Sequence, residues 1–169
     1  MRFIIETPER SRERLQSFPE YFQRGFLSAR KLFMLGLSDD GETIAACGIS
    51  NLSNYLLIYV NEEWQGQGVG TKILGRTISI SRRRGINFIA LAVRPNNLPA
   101  LRLYHKFDFR EVVNLKEFGF ILMIRPFTLK GEIVYGLSRA VCLVIPKSIL
   151  VYTVICSRTI VGSIRGFLR

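Results

Sequence analysis

The sequence predicts a mixed α/β domain in which a central mixed β-sheet is flanked by helices. Short apolar runs, typical of buried strands, alternate with helix-length segments whose apolar residues recur at a period of about 3.6. Asp39-Asp40-Gly41 lies between two such runs and is a strong hairpin signal. A further run, Tyr55–Val60, leads directly into a turn with three glycines and then into a helical segment.

The first part of the chain predicts a strand, helices and the hairpin. Phe3-Ile4-Ile5 is a short apolar run that suits a first strand. Thr7 followed by Pro8-Glu9 has the composition of a helix start, so helices are expected through about Ala29, with a break at Pro19. The hairpin strands are predicted at Lys31–Leu37 and Thr43–Ile49.

The second part continues the alternation of strands and helices. Tyr55–Val60 is apolar throughout, which is typical of a strand covered on both faces, so we expect it in the middle of the sheet. The next helix ends near Gly85 and has an apolar face made of Val69, Ile73, Leu74, Thr77 and Ile78. A strand at Ile86–Val93, a helix at Leu98–Phe107 and antiparallel strands at Val112-Val113 and Phe118–Ile124 follow.

A change of composition divides the chain into a domain of residues 1–125 and an apolar, basic C-terminal extension of residues 126–169. Pro146-Lys147 interrupts the most apolar part of the extension, and no unbroken apolar run reaches the ~20 residues that a membrane span needs. We interpret the extension as a packed segment or a homodimer element. Contact with a membrane surface and absence of structure stay open as alternatives.

The charge and the cysteine pattern limit the partners. The formal net charge of +11 favours anionic partners such as a cofactor's phosphates, nucleic acid or an acidic membrane surface. We interpret the arginines as solvated helix faces and helix ends in preference to a nucleic-acid or membrane site. The sequence shows no metal-ligand spacing among its three cysteines and its single histidine, so neither a disulfide framework nor a metal site is expected. These residues are Cys47, Cys142, Cys156 and His105.

The N-terminus lacks a signal-peptide pattern, and we therefore expect a cytoplasmic protein.

The turn after Val60 has the features of a phosphate-binding site. Glycines at 66, 68 and 70 permit a sharp turn and a close approach of backbone to ligand, and the amides that follow begin a helix, which attracts phosphate. The same pattern occurs in nucleotide and dinucleotide binders and in ordinary loops. The turn lacks the Gly-Lys-Ser/Thr ending of nucleotide hydrolases, which argues against that class.

A second pattern lies on the later helix, where Asn97, Ala100 and Tyr104 share one face at spacings i, i+3 and i+7. An amide, a small residue and a phenol in line suit a thin ligand chain. The alternative is that Asn97 is only a helix cap and Tyr104 an ordinary tyrosine at the edge of the core.

Together the two stretches resemble the GNAT superfamily of acyl-CoA-dependent N-acetyltransferases. Residues Gln65–Gly70 match its turn motif Gln/Arg-x-x-Gly-x-Gly/Ala. Its helix motif Asn-x-x-Ala-x-x-Leu-Tyr-x-x-x-Gly-Phe is matched by Asn97, Ala100, Leu103, Tyr104 and Phe109. The resemblance extends over about residues 1–125 in the order of elements.

The resemblance implies that an acetyl group moves from acetyl-CoA to a primary amine of a small molecule or peptide, by direct attack in a ternary complex. The amides from Gly66 to Thr71 would bind the pyrophosphate, and Tyr104 would be the catalytic acid that protonates the departing thiolate. The pantetheine arm would pair with the backbone of Ile58, Tyr59 and Val60 and would also contact Asn97. The implied acetyl-CoA-binding residues are Ile58, Tyr59, Val60, Gln65, Gly66, Gln67, Gly68, Val69, Gly70, Thr71 and Asn97, with no metal.

Two positions depart from the family pattern. Asp108 stands where the family usually has glycine before the final Phe of its helix motif. Ala92 stands where ribosomal-protein N-terminal acetylases have a glutamate base, and the nearby Glu62 and Glu63 are interpreted as solvated loop residues. A catalytically weak CoA-binding or anionic-surface-binding module on the same fold is therefore the alternative function.

Overall fold

The computed structural model describes residues 1–7, 10–11, 13–16, 18–20, 22–23, 32–50 and 53–144. Strands and helices alternate along this part of the chain, which confirms the predicted mixed α/β class. The strands are β1 (Arg2–Ile5), β2 (Leu32–Leu37), β3 (Thr43–Ile49), β4 (Leu56–Val60), β5 (Phe88–Val93), β6 (Arg110–Leu115) and β7 (Phe120–Pro126). The α-helices are α1 (Val69–Arg83), α2 (Leu98–Lys106) and α3 (Leu129–Val144).

The strands form two antiparallel sheets that meet at one point. The first sheet has the order β1-β2-β3-β4 and the second β5-β7-β6. A single parallel bridge between Tyr55 and Ala90 joins them within the described residues, and the Ala90 amide donates to the Asn54 carbonyl at 3.1 Å. Beyond this bridge β4 has an open edge, so the expectation of a mid-sheet strand holds only at Tyr55. The strand is apolar throughout because both of its faces are covered.

Both faces of the first sheet are covered by apolar side chains. The predicted apolar face of α1 is confirmed, because all five of its residues are buried. Leu15, Phe18 and Phe22 cover the opposite face of the sheet. The helices predicted between Thr7 and Ala29 lie largely outside the described residues, which contain a 3₁₀ turn at Glu13–Leu15 from this region.

The turns and the closing strands follow the predicted pattern. β2 and β3 pair antiparallel, and Gly41 in the hairpin turn has φ +85°, a conformation that favours glycine. β6 and β7 also pair antiparallel. Asp108 has φ +57°, so it adopts the left-handed conformation that the family's glycine would supply, and its carboxylate contacts Arg125 at 3.3 Å. The departure at this position therefore keeps the turn.

Helix α3 packs on β6 and β7. The Tyr135 hydroxyl donates to the Glu111 carbonyl at 3.3 Å, and the Arg110 guanidinium stacks 4.1 Å from the Tyr135 ring centroid. The division of the chain at residue 125 and the homodimer role of the extension stay predictions, and residues 145–169 lie outside the described part. No helix of the described part is long and apolar enough to cross a membrane.

Candidate functional site

A cleft of about 740 Å³ lies where β4 and β5 part. Its walls come from β4, the glycine turn, the start of α1, the end of β5 and helix α2. Ten of the twelve residues predicted from the sequence line it, namely Ile58, Tyr59, Val60, Gln65, Gly66, Gly68, Gly70, Thr71, Asn97 and Tyr104. Gln67 and Val69 do not, because the Gln67 side chain donates to the Glu63 carbonyl at 2.7 Å and Val69 is buried in the core.

The glycine turn leaves the first amides of α1 open. Gly66 and Gly68 have φ of +74° and +79°, which L side chains rarely adopt. Gly68 is the N-cap residue, and no side chain caps the helix. The first amides of a helix lack intrahelical partners and carry a partial positive charge. An anionic group can therefore bind at this turn without displacing a side chain.

Gly70 lies where the start of α1 meets α2 and the end of β4. A Cβ atom at this position would make ordinary van der Waals contacts, at 3.4 Å from Leu103 Cδ2 and 3.8 Å from Val60 Cγ2. Packing therefore does not require glycine here, in contrast to the backbone conformations of Gly66 and Gly68.

The free edge of β4 offers backbone groups to the cleft. The Asn61 amide donates to the Ile44 carbonyl at 2.9 Å, which makes the odd-numbered residues of this strand the ones that bond to β3. In an antiparallel pair, the residues between them point their N–H and C=O groups the other way. The backbone groups of Ile58 and Val60 therefore lie on the open edge, whereas those of Tyr59 face β3.

The turn is tied to the strand by Gln65. Its side-chain amide donates to the Val60 carbonyl at 3.0 Å. This bond uses the Val60 carbonyl and leaves the Val60 amide N–H as an open donor at the end of the strand. Gln65 thus stabilises the shape of the turn, and it would affect ligand binding through that shape.

Tyr104 presents a protonated phenol to the cleft. Its ring packs against Phe109 at a centroid distance of 5.6 Å, and its hydroxyl makes no hydrogen bond with the part of the chain that the structure describes. Burial, together with the neighbouring Tyr55 and Cys47, raises the pKa of Tyr104 well above its usual value. The hydroxyl is therefore an available donor at neutral pH.

Tyr55 is a cleft residue that the sequence reasoning missed. Its hydroxyl accepts a hydrogen bond from the Ala92 amide at 3.1 Å, across the fork where β4 and β5 part. Burial raises the pKa of Tyr55 to about 12. In the sequence this residue was only the first of an apolar run, and no local pattern links it to a residue 37 positions later.

Asn97 is both a helix cap and a cleft residue, so each of the two interpretations of the helix pattern holds in part. Its side-chain oxygen accepts from the Ala100 amide at 3.2 Å, so it is a helix cap, and it also lines the cleft. Asn97 is an exposed residue, and its side-chain nitrogen Nδ2 takes no part in this capping bond. A capping bond that uses only the oxygen leaves two N–H donors for a ligand.

Two charged residues line the cleft within the described part, Glu62 and Arg94. Glu62 follows β4 next to the glycine turn, Arg94 follows β5, and both are exposed. Ala92 also lines the cleft, at the position where related acetylases have a glutamate, so β5 offers no carboxylate to the cleft.

The described residues contain no cluster of three His, Cys, Asp or Glu side chains that would hold a metal ion. Cys47 is buried beside Thr77, which contacts its sulfur at 3.2 Å.

Comparisons with known proteins agree with this geometry. The model of the acetyltransferase (GNAT) family matches residues 2–109. A curated relative, the L-methionine sulfoximine/L-methionine sulfone acetyltransferase of Salmonella typhimurium (strain LT2), is 31% identical over 62 residues. That match spans 37% of this chain and only 36% of the relative.

Solved structures show the same fold at low identity. A GNAT-family acetyltransferase from Staphylococcus aureus Mu50 superimposes with a TM-score of 0.60 at 16% identity, covering 75% of this chain and 99% of that protein. A chain of the NatC complex bound to Gag peptide and CoA superimposes with a TM-score of 0.55 at 18% identity, covering 76% of this chain and 100% of that one.

Proposed function

This chain belongs to the GNAT family of acetyltransferases, and from that premise we propose that it transfers an acetyl group from acetyl-CoA to a primary amine. The family makes it an acyltransferase by class. The observation that carries the choice of donor and acceptor is that three features line one cleft: open helix amides, an open strand edge, and the Tyr104 hydroxyl, which has no hydrogen-bond partner among the described residues.

The residues present fit a CoA thioester. The amides between Gly66 and Thr71 would bind its pyrophosphate at the uncapped start of α1. The arm of the molecule would extend along the open edge of β4, where Ile58 and Val60 offer backbone groups in the manner of an added strand. Asn97 would donate its side-chain amide to the same arm from the opposite wall.

When bound, acetyl-CoA supplies an acetyl group activated as a thioester. In the transfer, the amine nitrogen bonds to the carbonyl carbon, the carbon–sulfur bond breaks, and the sulfur leaves as a thiolate. The Val60 amide N–H at the strand end would hydrogen-bond the carbonyl oxygen while it carries negative charge. Tyr104 would donate its proton to the thiolate and recover one from the newly formed amide nitrogen, so the protons balance.

The amine must be neutral to attack. Glu62 is the carboxylate that lines the described cleft, and its exposure lets it exchange protons with water. We propose that the proton of an incoming ammonium leaves through Glu62 or directly to solvent. Activity should then rise with pH through the pKa of the bound amine.

Calorimetry followed by a turnover assay tests the proposal. Acetyl-CoA should bind to the full chain, and addition of amines should release CoA thiol together with an amine heavier by one acetyl group in mass spectrometry. Binding of acetyl-CoA without amine-dependent release of thiol would contradict the enzyme and favour the alternative, a CoA-binding module. Salt-sensitive binding to DNA or anionic vesicles would then identify the partner of that module.

A further inference from the structure

The side chains of the two strands divide the cleft into two mouths. On β4, Ile58 and Val60 pack with the core on the α1 side, whereas Leu57 and Tyr59 pack on the opposite face. On the second sheet, Ala92 likewise packs away from the α1-side core. The glycine turn and the start of α1 lie at the first mouth, so the second mouth is the side from which another molecule can approach.

The second mouth, which we name the apolar mouth, is lined by Pro19, Phe22, Leu57, Tyr59, Ala92 and Phe120. None of these six residues carries a charge. Phe22 and Tyr59 form an aromatic wall with a centroid distance of 5.4 Å. Of the two charged lining residues of the described cleft, Glu62 lies in the turn after β4, and Arg94 directly follows β5, two positions after Ala92.

We infer that the acceptor is a primary amine carried on an apolar, preferably aromatic, body; this inference rests on the proposed acetyl transfer. An apolar body gains free energy by leaving water at this wall, and an aromatic ring also gains from packing against the partly exposed ring of Tyr59, which the buried Phe22 supports from behind.

The same surface accounts for the small residue at position 92. An apolar environment disfavours the charged ammonium and therefore lowers the pKa of a bound amine toward the neutral, reactive form. Ala92 keeps this part of the wall apolar where a carboxylate would hold the ammonium charged. The acceptor class and the absence of a glutamate on β5 thus have one physical cause.

The test is a matched panel of amines assayed with the wild-type chain and acetyl-CoA. The panel contains 2-phenylethylamine, phenylalanine with the same ring and an added carboxylate, L-methionine sulfone, spermidine and ethylamine. We expect kcat/KM for the better of the two phenyl-bearing amines to exceed that for L-methionine sulfone, spermidine and ethylamine by about tenfold or more. A preference for any of these three amines would overturn the acceptor class while leaving acetyl transfer intact. Failure to acetylate any amine would overturn both.

Substitutions locate the preference in the apolar mouth. Leu57→Asn should raise KM for 2-phenylethylamine by about tenfold with little change in kcat or in the affinity for acetyl-CoA. Ile5→Asn is the matched control, because Ile5 is a strand residue on β1 that is 51% exposed and lies outside the cleft. Leu57→Met should retain the wild-type KM. An unchanged KM in Leu57→Asn, with acetyl-CoA binding preserved, would refute the assignment of this wall to the acceptor.

Discussion

Tyr55 and Tyr104 both line the cleft, and the structure predicts different consequences for removing their hydroxyl groups. The Tyr55 hydroxyl accepts a hydrogen bond from the Ala92 amide, whereas the Tyr104 hydroxyl has no bond with the described residues. The Phe variants of both keep the ring and its packing. Tyr55→Phe should therefore reduce stability, and Tyr104→Phe should reduce catalysis.

The magnitudes follow from these contacts. Tyr55→Phe leaves the Ala92 amide without its acceptor, which costs about 1–3 kcal/mol of unfolding free energy. Tyr104→Phe removes a buried hydroxyl without breaking a bond in the described part, so its unfolding free energy should stay within about 0.5 kcal/mol of wild type. Loss of a proton donor to the leaving thiolate should lower kcat by about 10²–10³-fold in Tyr104→Phe. The corresponding fall in Tyr55→Phe should be less than about tenfold.

Urea denaturation gives the unfolding free energies, calorimetry gives the affinity for acetyl-CoA, and thiol release gives kcat. Tyr104→Phe should bind acetyl-CoA about as tightly as wild type, because the hydroxyl acts on the sulfur only as the thiolate leaves. Equal kcat in wild type and Tyr104→Phe would refute the acid role. A loss of stability in Tyr104→Phe comparable with that in Tyr55→Phe would refute the hydrogen-bond assignment from which both predictions start.

The remaining predictions concern the glycines and the alkaline stability. Gly68→Leu and Gly41→Leu should cost similar stability, since φ is +79° and +85° and both sites are open, but only Gly68→Leu should abolish acetyl-CoA binding measured by calorimetry. Binding lost equally in both would contradict a ligand site at the turn. Gly131→Ala should destabilise by about 1–3 kcal/mol, because its Cβ would lie 2.1 Å from the Asn87 carbonyl oxygen, whereas Gly136→Ala on the same helix should stabilise by about 0.5–1 kcal/mol. Urea midpoints that move the same way in both would argue against the packing of α3. The raised pKa of Tyr55 means that the folded state holds this proton more tightly than the unfolded state, so its contribution is complete below pH 10 and is lost toward pH 12. The unfolding free energy should fall by roughly 3 kcal/mol from this group, and a smaller fall in Tyr55→Phe over the same range is the check.

Much of the fold was predictable because its signals are local. The Asp39-Asp40-Gly41 turn, the apolar face of α1 and the cap at Asn97 each depend on residues within a few positions of one another. The glycine turn and the helix motif also follow from spacing along the chain. For this reason the residues of the candidate donor site were identifiable before the structure was considered.

Other features could not be predicted, because they depend on residues far apart in the chain. The Tyr55–Val60 strand is predicted to pair on both edges, yet among the described residues its second edge is joined to β5 only by the bridge at Tyr55, and the open edge beyond that bridge lines the cleft. The bond between Tyr55 and the Ala92 amide likewise joins two strands separated by helix α1. Neither relation has a counterpart in composition or periodicity.

The sequence by itself determined the fold class, the family and the residues that form the phosphate-binding turn, since backbone conformation and helix faces depend on neighbouring residues. Only the tertiary structure decided which backbone groups of β4 are open, that Tyr55 bonds across the fork, and that the second mouth is apolar. Those properties arise when the two sheets part, because the same alternation of side chains that builds each core then assigns one face of the cleft to the turn and the other to apolar side chains.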